Sequence, residues 1–537
     1  MVQPQSLSRI PSNLSNRQSG LVLMVYLFLY FLVSLTFLTD YPFVHSDEAW
    51  LSGLTRNMME SGSLGVTETF FDLKPRWPHG IKSLFHLLQM PFILILGYSI
   101  SAVRLLSLIF SLVSLIIFYF FLKEITRSSG EKADNLPLLG TILLSLNIQF
   151  LYASHFARQE ILLIAGLLAC AFLILRGHPL AAGLVTGLCI GLHPNSFLIG
   201  TMGLALTLTS LREKPVQALR FSLGAGIFAL FFVSLSFFWD PAFPLHYFQY
   251  GNSEFDVGAP VHNKLAEFPL FLEKIWHQVS GTYHVPDIRV WMVLFGLAIP
   301  AGLLPVLLHK QENKSLLFLY RGLLGLFLGM VIIGRYNQTS IVFFFPLLLA
   351  LILLLLHKLR GMAQKKALVP LALLVLIGGS AYHSWTNVAP WLPTDPPAGV
   401  SETYPRYLEE IGSAVPKDSR VLANLNTDYY FENDNLRDVR NLTYLKEKSL
   451  SVADYIRQNE IHYIILSDEM DFLYQRRPVW NMIYGNLRYM PELRQFTEEQ
   501  CTLLHQFQDN TYGIRVVGYM RSDLDFTVQI FEVQDFV

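Results

Sequence analysis

The stretch LVLMVYLFLYFLVSLTFLTDYPFVHSDEAW, residues 21–50, sets an uninterrupted apolar run against a pair of adjacent acids. No charged residue falls between Leu21 and Leu38, and about 20 apolar residues is the length an α-helix needs to cross a bilayer. Asp40, Asp47 and Glu48 follow at once. The segment before the run is polar up to Gly20 and carries Arg9 and Arg17 but no acid. A cleaved signal peptide is the alternative, but the run is long for one and no small-x-small site follows it. We therefore read a retained first span, with Asp47 and Glu48 just beyond its non-cytoplasmic end.

The rest of the chain repeats the pattern. Of 537 residues, 52% are hydrophobic and 15% charged, against about 25% charged in soluble domains. Further apolar runs lie near 102–122, 136–152, 160–175, 180–193, 196–211, 218–238, 290–308, 316–333, 339–356 and 367–385. Together they predict a polytopic α-helical membrane protein of about 11 spans. The basic residues of the short loops give the orientation. Lys123, Arg127, Lys132, Arg176, Arg212, Lys214, Arg220, Lys310, Lys314, Lys358, Arg360, Lys365 and Lys366 all fall on the N-terminal, cytoplasmic side. The run 84–97, interrupted by Pro91, would reverse that parity if it crossed, and about 14 residues is short of a span. We place it flat in the outer interface as an amphipathic helix.

Two outer loops result, 40–101 and 240–289, within a membrane module of residues 1–386. Residues 387–537 are polar and mixed, and open on Pro390, Pro393, Pro396 and Pro397. There β-like runs at 420–425, 462–466 and 526–533 alternate with helical patterns at 404–415 and 452–459. This predicts a small extracytoplasmic α/β domain. A net charge of −1 gives no footing for a nucleic-acid partner. The three cysteines, two of them inside apolar runs, make neither a disulfide framework nor a metal cluster.

Residues fit for chemistry gather at the outer turns. Asp47 and Glu48 suit a general base, or solvate the end of the span. Lys74 and Arg76 put cations on the outer side, where an anionic phosphate suits them; lipid headgroups are the other claimant. His155, Arg158 and Glu160 stand where the chain re-enters the bilayer. Ionisable groups at that depth usually face a polar cavity, although a snorkelling Arg–Glu pair reads the same way. Arg335 occupies another short outer turn, as phosphate clamp or anchor. His193 occupies a third, as ligand contact or structural histidine. Asp47, Glu48, His155 and Glu160 carry the oxygen and nitrogen ligands a divalent metal ion takes, without a recognised metal spacing. No cofactor is required.

In order and spacing these segments resemble the glycosyltransferase family 39 type of membrane transferase. That group has the GT-C fold and includes dolichyl-phosphate-mannose protein mannosyltransferases and aminoarabinose transferases of lipid A. The resemblance rests on DEAWLSGLTRNMMESGSLG (47–65), LKPRWPHGIKSLFHLL (73–88), the helix after Gly97 with Arg104 in an RL position, ARQE (157–160), GLCIGLHPNSFL (187–198) and RYNQTSIVFFFPLLLAL (335–351). It covers about the first 385 residues. Three places depart from the family pattern: Lys74-Pro75-Arg76 for KPP, His193-Pro194 for a Lys before Gly-Pro, and Arg158-Gln159-Glu160 for Arg-x-Asp.

The resemblance implies transfer of a sugar from a polyprenyl-phosphate-linked donor to a lipid, protein or glycan acceptor. Transfer would occur at the outer face of the inner or plasma membrane, with inversion. It casts Asp47 as base with Glu48 beside it, Glu160 as second acid next to Arg158, and Lys74 and Arg335 on the donor phosphate. A lipid or glycan flippase is the rival. It would place charge along a mid-membrane path, and the apolar runs here are nearly free of charge.

Overall fold

A computed structural model describes residues 16–127, 135–208, 215–255, 258–278, 286–308, 313–334, 336, 338–361, 368–392, 403–479, 484–514 and 524–534. Arg335 lies outside these residues, as do Lys132, Arg212, Lys214, Lys310, Lys365, Lys366, Pro393, Pro396 and Pro397.

The apolar runs fold as helices. In chain order these are α1 (Asn16–Leu35), α2 (Ser46–Ser61), α3 (Ser83–Leu96), α4 (Ile100–Arg127), α5 (Leu136–Ser145), α6 (Ile148–Ser154), α7 (Glu160–Leu175) and α8 (Pro179–Ile190). There follow α9 (Ser196–Leu208), α10 (Pro215–Trp239), α11 (Phe243–Phe255), α12 (Val261–Trp276), α13 (Arg289–Leu308), α14 (Lys314–Ile333), α15 (Phe345–Gly361) and α16 (Leu368–Val388). Among the described residues, seven helical segments are long and apolar enough to cross a membrane, and the bent pair α5–α6 makes an eighth. The chain is thus a multi-pass membrane protein.

Two features differ from the simplest reading of the runs. The run at 136–152 breaks by 66° between α5 and α6. Asn147 causes the break: its side-chain oxygen accepts from the N–H groups of Gln149 and Phe150, both at 3.1 Å, and so starts a new helix. The spans expected over 160–175, 180–193 and 196–211 are helices of 16, 12 and 13 residues. Most of α7 is buried among α4, α8 and α9, as befits a helix apolar on every side. α8 and α10 approach closely because Gly183 and Gly224 face each other's backbone; a Cβ at either would collide with it.

The bundle has two chemically distinct ends. At one, Arg176 pairs with Glu124 at 2.9 Å, Ser315 donates to the Ile125 carbonyl at 2.8 Å, and Lys358 meets Asn313. At the other stand the start of α2, the turn 155–159, the start of α7 and the turn at His193.

The C-terminal region builds α17 (Tyr404–Gly412), β1 (Val421–Ala423), β2 (Leu436–Asp438), α18 (Val452–Gln458), β3 (Tyr463–Ser467), α19 (Glu469–Arg476), α20 (Met490–Gln500), β4 (Cys501–Gln508) and β5 (Thr527–Val533). The sheet order is β2-β1-β3-β5-β4, parallel across the first three strands and antiparallel at β5. β2 and β4 were not anticipated from the sequence. This layer is welded to the loop 40–101. Arg56 pairs with buried Asp428 at 2.8 Å, the N–H of Asp438 reaches Phe70 O at 3.2 Å, and Tyr455 donates to Asp72 at 2.8 Å. Phe43, Phe70 and Ile100 share one apolar core with Tyr404, Tyr407 and Phe507.

Candidate active site

α2 starts at a capping box. His45 Nδ1 accepts from the Asp47 N–H at 3.0 Å, and the Glu48 carboxylate accepts from the His45 N–H at 3.1 Å. Two acids in a first helical turn also suit the positive end of the helix dipole. Consecutive helical residues point about 100° apart, and this separates Asp47 from Glu48.

Glu48 turns inward and is fully buried. Arg104 grips it with Nε and Nη2, both at 2.8 Å, and the Ala157 N–H donates to Oε1 at 2.8 Å. With the His45 N–H, each oxygen takes two donors. Arg104 spends Nη1 on the Leu38 carbonyl at 2.9 Å. Glu48 is therefore a structural anchor joining the segment after α1, α2, α4 and the turn before α7. In this structure its carboxylate has no lone pair left over for a substrate.

His155 is also enclosed by protein. Its ring stacks on Phe37 at 4.7 Å. Nδ1 lies 2.8 Å from Ser154 Oγ and 2.9 Å from Leu151 O, and Nε2 lies 3.3 Å from Ser34 O. Both nitrogens lie within hydrogen-bond distance of protein groups.

Asp47 and Glu160 do meet, through one residue. Arg158 Nη1 lies 2.9 Å from Asp47 Oδ2, and Nη2 lies 3.2 Å from Glu160 Oε1. The Asp47 side chain remains 23% exposed. Glu160 heads α7, accepts from Thr339 Oγ1 at 2.9 Å, and keeps Oε2 buried with no hydrogen-bond donor among the described residues. Among the described residues no three His, Cys, Asp or Glu side chains are placed to share a metal. The Arg158 guanidinium stands where a cation bridging Asp47 and Glu160 would stand. These residues do not form a resident metal site while it does.

Lys82 belongs to the same cluster. It sits at φ +82 just before α3, a left-handed conformation that disfavours side chains other than glycine. Its side chain is half-buried, and among the described residues no hydrogen bond or ion pair is made by its amine. Burial, with the fields of Arg76 and Arg158, lowers its pKa to about 8 against the opposing pull of Glu68 and Asp47. The only sequence signal for it was a lysine between Gly80 and an apolar helix.

His193 also faces the cluster. Burial, then Lys82, Arg158 and His79, hold its pKa well below the usual value, so the ring is neutral. Nδ1 accepts from the Asn195 N–H at 3.0 Å, which assigns the proton to Nε2. Lys74 is placed differently. It is exposed, with its amine 4.7 Å above the Tyr444 ring and 3.5 Å from the Tyr444 hydroxyl. Arg76 lies on the indole of Trp50 at 3.6 Å.

No family model matches the sequence, and no curated protein sequence matches it. Solved structures do resemble it. ArnT from Cupriavidus metallidurans bound to undecaprenyl phosphate superposes with a TM-score of 0.51 at 13% identity, over 86% of this chain and 95% of that one. AglB, the oligosaccharyltransferase of Archaeoglobus fulgidus, in complex with an inhibitory peptide and a dolichol-phosphate, gives 0.51 at 12% identity, over 90% and 72%. An oligosaccharyltransferase structure from A. fulgidus with Zn and sulfate gives 0.52 at 12% identity, over 88% and 70%. The chain therefore has the GT-C fold, with a C-terminal α/β sheet.

Proposed function

We propose that this protein transfers a sugar, hexosyl or pentosyl, from a polyprenyl-phosphate-linked donor to an acceptor on the outer face of the cell membrane. The acceptor is a hydroxyl or amine of a lipid, protein or glycan. Asp47 takes the acceptor proton as the acceptor heteroatom bonds to the anomeric carbon. The bond from that carbon to the phosphate oxygen breaks, and polyprenyl phosphate leaves with the electron pair. One displacement inverts the anomeric configuration.

The observation that carries this reading is the cluster Asp47–Arg158–Glu160, with the amine of Lys82 coupled to it through the fields of Arg158 and Asp47. A positioned base contributes about 10²–10⁴-fold, and a fixed cation facing a leaving phosphate stabilises charge that grows in the transition state. We assign the phosphate to Lys82, and place Lys74, first expected there, at the rim of the site on Tyr444. Arg335 remains a candidate for the same phosphate from the sequence alone. Arg158 holds the two acids in register, and His193 offers its Nε2–H to the substrate. The bundle end opposite the cluster carries Arg176, Lys314 and Lys358, which supports a cytoplasmic assignment for that end and an extracytoplasmic one for residues 387–537.

The test supplies purified protein in liposomes with polyprenyl-phosphate-linked sugars and measures released polyprenyl phosphate and product anomer. Release with an inverted product is expected. Transport of intact donor without release would contradict the reading.

A further inference from the structure

We propose that Arg440, supplied by the C-terminal region, is a positioning residue of the transferase site, fixing Trp50 and with it the turn of α2 that carries Asp47. This rests on the function proposed above. Asp47 and Trp50 are three residues apart on α2 and share one face. Trp50 is held from several sides. Its Nε1–H donates to Glu68, the Arg76 guanidinium lies 3.6 Å from the ring centre, Phe71 meets it edge-on at 5.1 Å, and Arg440 lies 5.3 Å from it. Arg440 also lies 4.8 Å over Phe71.

Arg440 is itself rigidly mounted. Its Nε and Nη2 each donate to the Asp438 carboxylate at 2.9 Å, a two-point geometry that orients the guanidinium plane. Asp438 is buried at the end of β2, and its N–H is bonded to Phe70 O. An unbroken series of contacts thus runs from the sheet to the first turns of α2. Among the described residues Asp47 is faced by Arg158 at 2.9 Å and Glu160 across it, by the His45 ring at 3.7 Å, whose Nδ1 accepts the Asp47 N–H, and by Lys82 and Arg440 through their fields. Arg440 therefore adds positive potential where Asp47 must stay ionised.

Arg440→Gln alone leaves Asp438 buried without its partner and can unfold the layer. The decisive variant is the double Arg440→Gln/Asp438→Asn, which removes both charges, with Arg440→Lys as the charge-conserving companion. In the full-length protein, we expect the double variant to keep the parent's unfolding temperature and lose about 10- to 100-fold in kcat with donor KM nearly unchanged. The acid limb of its pH–rate profile should move to higher pH, because losing a nearby cation disfavours the ionised carboxylate. Arg440→Lys should keep the parent's acid limb and an intermediate rate. The proposal is overturned if a folded double variant turns over within about twofold of the parent, or if the loss falls wholly on donor KM. It is overturned too if Arg440→Lys matches the parent's rate. Asp47→Asn, measured alongside, separates the two levels. If it turns over like the parent, the transferase reading fails; if it is inactive while the double variant is active, only the role of Arg440 fails.

Discussion

The start of α2 divides two regions that carry neighbouring acids in opposite circumstances. Beneath it, Glu48 is sealed with Arg104, and every lone-pair direction is filled by protein. Above it, Asp47 is partly open and shares one guanidinium with Glu160, whose second oxygen is unfilled. The first arrangement holds four segments together, and the second is the one we propose to meet the substrate. Adjacency in sequence therefore says little about shared work; the angle between successive helical side chains decides which acid is structural.

That contrast predicts opposite failures. Asp47→Asn should cut turnover by about 10²–10⁴-fold while thermal unfolding in detergent stays that of the parent. Glu48→Gln should strand a buried Arg104 and destabilise the protein by about 3–5 kcal/mol, while molecules that remain folded still transfer. Turnover per folded molecule, with the unfolding curve, checks both. An inactive but fully stable Glu48→Gln would erase the distinction.

Within the open region, Glu160→Gln keeps a partner for Thr339 but loses the charge opposite Arg158. A drop of about tenfold in kcat is expected, equal to about 1.4 kcal/mol of barrier. The two lysines offer a finer contrast. Lys82→Gln should raise donor KM about tenfold, while Lys74→Gln should change it less than about twofold. In the parent, donor affinity should fall as pH rises through about 8, where the Lys82 cation is lost. That fall should vanish in Lys82→Gln, as a KM series from pH 6.5 to 9 would read. The smallest effect belongs to Thr339→Val, which removes one hydrogen bond to Glu160 and should cost about 0.5–1.5 kcal/mol in stability.

Much of this molecule is legible in its sequence because membrane helices are written as long apolar runs. The positions of α1, α4, α10 and α13–α16 follow from those runs directly. The bend at Asn147 does not, since the apolar run continues through it and a few polar side chains (Ser145, Asn147, Gln149) are compatible with an unbroken span. β4 is hidden for a related reason: α20 passes into it at Cys501 with no intervening turn residue. At the site, Asp47, Arg158 and Glu160 were readable as ionisable groups at outer turns. The fate of Glu48 was not, because Arg104 lies on another helix and only packing shows that the two meet. Lys82 carried a weak local signal. Arg440 carried none, because nearly 400 residues separate it from the helix it steadies.

The most direct test of the account is a structure of the protein in lipid with a non-transferable polyprenyl-phosphonate sugar. The account predicts phosphonate oxygens within hydrogen-bond reach of Lys82 Nζ and an anomeric carbon facing Asp47, with room for an acceptor at about 3–3.5 Å. A headgroup held at the Arg176 end of the bundle, or seated on Lys74 and Tyr444 away from Asp47, would contradict it.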